Sequence, residues 1–245
     1  MLYITRLFDS GLAVSTITSR LSAISFIHKM FRKPDPVNSY FVNRFLYSLR
    51  KKRPQQDLRL PLTPQLLNAI LGCAYKLGFT YYDLTMFRAM LALSFAAFLR
   101  PGEVTGSSNN LLFQNISFLY GTLIIQFTHY KSSAGRPFTL YLNPTRTQFC
   151  PVKLLNTYLQ LRGDYVGPLF CRLNGMPVPY SQFKSMFKLA LAYLGVSGRM
   201  SLHSIRIGAT THAAASGYTE AEIQRWGRWR SNAYRNYIRL PIFYV

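Results

Sequence analysis

Apolar positions recur at helical spacing through residues 15–31, where "STITSRLSAISFIHKMF" sets Ile17, Leu21, Ile24, Ile27 and His28 near one face. Ser15 or Thr16 is available to cap this helix. A second stripe follows a pair of prolines, with Phe41, Phe45, Leu46 and Leu49 aligned in "PDPVNSYFVNRFLYSLRKKR". The first fifty residues thus read as helical. The pattern then breaks at "RKKRPQQDLRLP" (50–61), which is basic, polar and bounded by proline, as a linker would be. Helical spacing resumes in "TPQLLNAILGCAYKL" (63–77), with Thr63 as N-cap and Pro64 in the first helical position. A further apolar helix is expected from about Tyr82 to Leu99.

After Gly106 the period shortens. "NISFLYGTLIIQFTHYKSSAGRPFTLYLN" (115–143) is rich in Ile, Phe, Thr and Tyr, and it breaks at Gly121 and at Ser132–Gly135. Three short antiparallel strands fit this pattern, with "SSAG" as a hairpin turn. Helical spacing returns over 151–162, 180–195, 201–215 and 219–229, and the last stretch opens on a capping box pairing Thr219 with Glu222. No internal repeat or low-complexity segment interrupts this order. The expected fold is mainly α with a small three-stranded antiparallel sheet (α+β). Its expected parts are a helical segment over 1–53, a linker over 54–61 and a larger domain over 62–245.

Composition narrows the function. Hydrophobic residues make up 49% of the 245, enough to bury a core. Lys and Arg number 29 against 8 Asp and Glu, a formal net charge of +21. Such an excess calls for a polyanionic partner, and nucleic acid suits it better than a membrane surface, because no lysine-rich amphipathic helix or lipidation signal is present. Cys73, Cys150 and Cys171 are too few and too scattered for a disulfide framework or a zinc site, which points to a reducing, intracellular setting. The longest apolar run, "AMLALSFAAFL" (89–99), is too short to span a bilayer.

Three places carry candidate chemistry. In "FLRPGEV" (98–104), Arg100 follows an apolar helix and needs a partner, either Glu103 or a bound anion. Lys131 lies at a hairpin tip, where a lysine is ordinarily just solvated but can also reach into a DNA groove. Residues 201–239 concentrate His203, His212, Trp226 and Trp229 in a chain with 4 His and 2 Trp. There His203 and Arg206 stand three apart, on one face of the first turn of a helix, where backbone N–H groups favour an anion. The plainer alternative for this stretch is a basic helical hairpin with aromatic packing. Lys51, Lys52, Arg53, Arg136 and Arg228 are candidate DNA contacts.

Taken in order, "LRPGEV", "YKSSAGR", "HSIR", "GRW" and "YIR" resemble the tyrosine recombinases, the lambda-integrase-like family. The wording is most similar to the DIRS-like and Crypton-like eukaryotic transposon branch. The resemblance covers nearly the whole chain, since "STITSRLSAISFIHK" is similar to the family's helical core-binding domain, which is expected to be partial here, with one or more of its early helices missing. It implies a catalytic domain over 62–245 that cuts and rejoins DNA through a 3′-phosphotyrosyl intermediate. It places catalytic roles on Arg100, Lys131, His203, Arg206, Trp229 and Tyr237, with Glu103 orienting Arg100. It also implies no metal or nucleotide cofactor, double-stranded DNA as partner, self-association on DNA, origin in a mobile element, and a nuclear location in a eukaryote. Two alternatives remain open: a non-catalytic DNA-binding relic, and a type IB topoisomerase-like activity.

Overall fold

A computed structural model describes residues 1–54, 57–128, 130 and 135–239. They form two compact units, Met1–Leu58 and Arg59–Val245. The first holds α1 (Leu2–Asp9), α2 (Val14–Met30) and α3 (Tyr40–Lys52). Its core is built from Ile4 and Phe8 of α1, Val14, Ile17 and Leu21 of α2, and Val42, Leu46 and Leu49 of α3. The expected stripes are therefore shifted. Ile27 is 50% exposed and Phe41 is 75% exposed. At 1.5 Å per residue, α1 covers about 12 Å of an α2 roughly 25 Å long, so the far end of α2 has less to pack against. Neither Ser15 nor Thr16 caps α2, whose N-cap is Ala13 with no side-chain bond. Instead the hydroxyls of Thr18, Ser19 and Ser22 donate to the carbonyls four residues earlier.

The first helix of the second unit is α4 (Pro64–Cys73), where Thr63 Oγ1 accepts from the Leu66 amide as expected of a cap. A 3₁₀ turn, Ala74–Lys76, extends it. The central helix α5 (Tyr81–Ala96) is buried from Thr85 to Ser94 apart from Arg88 and is apolar nearly all round, as an enclosed helix should be. It is followed by the single turn α6 (Pro101–Val104) and by strands β1 (Ile116–Leu119), β2 (Thr122–Phe127) and β3 (Phe138–Leu142). The strands form one antiparallel sheet in the order β1-β2-β3. In β2, Leu123, Ile125 and Phe127 alternate inward, and Ile125 pairs with Leu140. Lys131 and Ser132–Ala134 of the expected hairpin turn lie outside the described residues.

Helices α7 (Pro151–Arg162), α8 (Tyr180–Tyr193), α9 (His203–Ala215) and α10 (Glu220–Trp226) and the 3₁₀ segment Asn232–Tyr237 complete the unit. The capping box at α10 is present: Thr219 Oγ1 accepts from the Glu222 amide and the Glu222 carboxylate from the Thr219 amide. The last part of the linker expected over 54–61 already belongs to this unit, which starts at Arg59. The Leu60 amide donates to the Arg199 carbonyl at 3.0 Å and the Leu62 amide to the Ser204 carbonyl at 2.9 Å. That approach needs Gly208, since a Cβ there would overlap the Leu62 backbone. The three cysteines are buried free thiols. Among the described residues, no helix is long and apolar enough to cross a membrane.

Candidate active site

The site is assembled where α5 ends. Beyond Ala96 the chain turns sharply, with Phe98 in a left-handed conformation (φ 52°), and Arg100 then stands at the N-cap of α6. One helical turn on, the buried Glu103 carboxylate closes the turn. It accepts from the Arg100 amide at 2.8 Å and from Arg100 Nη1 at 3.1 Å. Its Oε2 also accepts from Arg228 Nη2 at 2.7 Å. Arg228 is a second non-glycine residue with left-handed backbone (φ 56°). Such conformations are costly and gather at functional sites. Here they turn the Phe98 carbonyl and the Arg228 side chain toward the same place.

Arg206, in the first turn of α9, is the largest fully buried side chain described. Its Nη1 donates to the Phe98 carbonyl and its Nη2 to the Gly227 carbonyl. The guanidinium lies 4.0 Å from the Trp229 ring centroid and 5.6 Å from that of Tyr237. The two rings are 5.2 Å apart at 55°. A Cβ on Gly227 would overlap the indole, so the glycine makes the slot in which Trp229 sits. Burial, and then the charges of Arg100 and Arg228, lower the Arg206 pKa below the ordinary arginine value. An arginine so placed still carries its charge at neutral pH. A continuous chain of contacts thus runs Arg100–Glu103–Arg228–Phe98 carbonyl–Arg206–Trp229–Tyr237.

No protein-family model matches the chain, and no curated protein matches it. Solved structures do. The Tn1549 transposon integrase in complex with circular intermediate DNA superposes with a TM-score of 0.63 at 16% identity, over 98% of this chain and 80% of that one. A lambda integrase dimer bound to a COC′ core site gives 0.63 at 12% identity, over 98% and 65%. The XerH site-specific recombinase bound to its palindromic difH substrate gives 0.61 at 14% identity, over 82% of this chain, which spans 60% of the XerH chain. The fold is that of the tyrosine recombinases.

Within this recombinase fold, Arg100, Glu103, Arg206, Trp229 and Tyr237 come together although up to 137 positions separate them. His203 opens α9 half-buried, one turn ahead of Arg206. Tyr237 is held by its backbone, its carbonyl accepting from Thr211 Oγ1 at 3.1 Å. Tyr234, three residues earlier, is 1% exposed and packs with Phe98, Ala209, Ala213 and Ile223. Lys131 lies outside the described residues. Arg136 is exposed just ahead of β3, and Lys51 and Lys52 are exposed at the end of α3.

Two candidate DNA contacts are placed differently from expectation. Arg53 folds back on its own unit, donating to the Phe8 carbonyl at 2.9 Å with its guanidinium 4.1 Å from the Phe8 ring centroid. Arg228 is not at the surface at all: its side chain is 0% exposed. Besides Glu103, its terminal nitrogens donate to the carbonyls of Ala97, Trp226 and Phe98 at 3.2, 3.1 and 3.4 Å, and the guanidinium lies 3.9 Å from the Phe127 ring centroid. The buried carboxylate draws it inward, and its terminal nitrogens are taken up by Glu103 and three carbonyls. Sequence gave no sign of this pairing, because Glu103 lies 125 positions away.

Proposed function

We propose that this chain cleaves and rejoins DNA strands through Tyr237. The observation that carries the reading is the placement of the buried Arg206 guanidinium. It contacts the Trp229 and Tyr237 rings and shares the Phe98 carbonyl with the Arg228–Glu103–Arg100 network. In the proposed reaction the Tyr237 phenolic oxygen attacks the phosphorus of a phosphodiester, with His203 taking the proton. The bond to the 5′ oxygen breaks, and Lys131 protonates that oxygen as it leaves. The product is a 3′-phosphotyrosyl link, and attack by another strand's 5′-hydroxyl reverses the step. Arg100 and Arg206 supply fixed donors for the non-bridging oxygens as negative charge builds. Arg206 would exchange carbonyl acceptors for phosphate oxygens on substrate binding. In this reading the first unit is a DNA-binding arm, copies associate on paired sites, and the chain derives from a mobile element.

The test is trapping. On a nicked duplex whose cleaved fragment diffuses away, the protein is expected to form a covalent adduct through the DNA 3′ phosphate. Tyr237→Phe removes the nucleophilic oxygen alone and is expected to abolish the adduct while leaving DNA affinity nearly intact. Persistence of the adduct in that variant assigns the nucleophile elsewhere. One observation favours a second reading, DNA binding without cleavage: Arg206 is wholly enclosed, with both terminal nitrogens held by carbonyls. Tight binding with no adduct on any duplex bound specifically is the outcome that selects it.

A further inference from the structure

We propose that Arg228 is a positioning residue for Arg100, acting through the Glu103 carboxylate. This rests on the strand-cleavage reading. Arg228 is already paired with a carboxylate, Glu103, at 2.7 Å, whereas the terminal nitrogens of Arg206 donate to backbone carbonyls that a phosphate could replace. Arg100 is bound to the same carboxylate. Glu103 Oε1 takes Arg100 Nη1, and Oε2 takes both the Arg100 amide and Arg228 Nη2.

The arrangement solves an electrostatic problem. A buried carboxylate beside Arg100 alone would be compensated only by Arg100, and would compete with any phosphate for that guanidinium. A second buried guanidinium on Glu103 relieves the competition while leaving the carboxylate in place as a brace. Arg100, Arg206 and Arg228 against Glu103 leave a formal surplus of two positive charges around the site. That surplus matches a phosphodiester gaining a second negative charge as the tyrosine attacks.

Arg228 is also held more firmly than charge compensation requires. Its fork grips the carbonyls of Ala97, Phe98 and Trp226, so it ties the end of α5 to the end of α10, and it stacks on Phe127 at the end of β2. The Phe98 carbonyl that it grips also accepts from Arg206. Arg228 therefore fixes the spacing between the two arginines proposed to hold the phosphate.

The test compares Arg228→Lys and Arg228→Met in the full chain. Lysine keeps the charge without the fork, and it keeps the test usable should methionine prevent folding. DNA affinity and the single-turnover rate of adduct formation are measured together. A positioning role predicts affinity within about twofold of the parent. It also predicts a rate lowered on the order of a hundredfold, as a displacement of about 1 Å at a reacting group produces, with lysine recovering part of what methionine loses. Folded variants with the parent rate overturn the proposal, and so do variants whose affinity and rate fall in parallel. Absence of an adduct in the parent removes the cleavage reading but not the test of geometry. Inorganic phosphate is then titrated against the fluorescence of Trp229 in a Trp226→Phe background. Loss of the phosphate response in Arg228→Lys supports the positioning, and an unchanged response overturns it.

Discussion

Gly227 and Trp229 show how narrowly the site is fitted. The indole occupies the space a Cβ would fill and lies over the Arg206 cation at 4.0 Å. Gly227→Ala is expected to push the indole off the guanidinium with little loss of fold, because the clash falls on a side chain rather than on backbone. Near-ultraviolet circular dichroism should register the freed tryptophan, and an unchanged spectrum would mean the slot has another way to give. Tyr234→Phe is a contrasting case. Its hydroxyl accepts from Arg235 Nε at 3.3 Å and also interacts with the Glu220 carboxylate. Losing the hydroxyl is expected to lower stability by no more than about 1 kcal/mol and to leave any covalent adduct intact. In the sequence, His203 and Trp229 stand out because the chain has only 4 His and 2 Trp and they gather near its end, whereas Arg100, Lys131, Arg206 and Tyr237 are candidates through the resemblance of their motifs. The inward pairing of Arg228 was not legible, because an arginine among arginines reads as surface unless the buried acid opposite it is known.

At the level of elements, the locally determined features were the readable ones. Thr63 and the Thr219–Glu222 box are fixed by residues within one turn, and sequence spacing identifies them. The inner face of α2 was overextended at Ile27 because burial depends on the length of the helix packed against it. Helix α10 has seven residues, so its cap matters more than usual. Thr219→Ala is expected to cost about 1 kcal/mol, lowering the melting midpoint by roughly 2–4 °C. Since α10 leads directly into Gly227–Trp229, the same variant should loosen the indole over Arg206. Gly208→Ala is expected to be the more damaging change, because the added carbon meets the Leu62 backbone, which cannot rotate away. A melting midpoint within a degree of the parent would show that α9 can slide past that strand of chain.

For the whole molecule, the net charge of +21 sets the expectation for DNA. Duplex affinity should fall steeply with salt, with log K losing about 0.9 per phosphate contact for each tenfold rise in salt. Lys51→Ala with Lys52→Ala should flatten that dependence without altering sequence preference, whereas Arg53→Ala should chiefly loosen the packing of α1. A salt-insensitive affinity would point to a protein partner. Charge of this size was readable from composition, but its division into exposed lysines and inward-turned arginines was not.

Cys73, Cys150 and Cys171 all lie in the second unit and are all buried, while the first unit contains none. A maleimide should therefore be nearly silent toward the folded protein, however mobile the first fifty residues are. Its rate of reaction would then clock the opening of the second unit alone. Should DNA slow that labelling, the gain in protection would measure how tightly the bound duplex holds the recombinase-like domain shut.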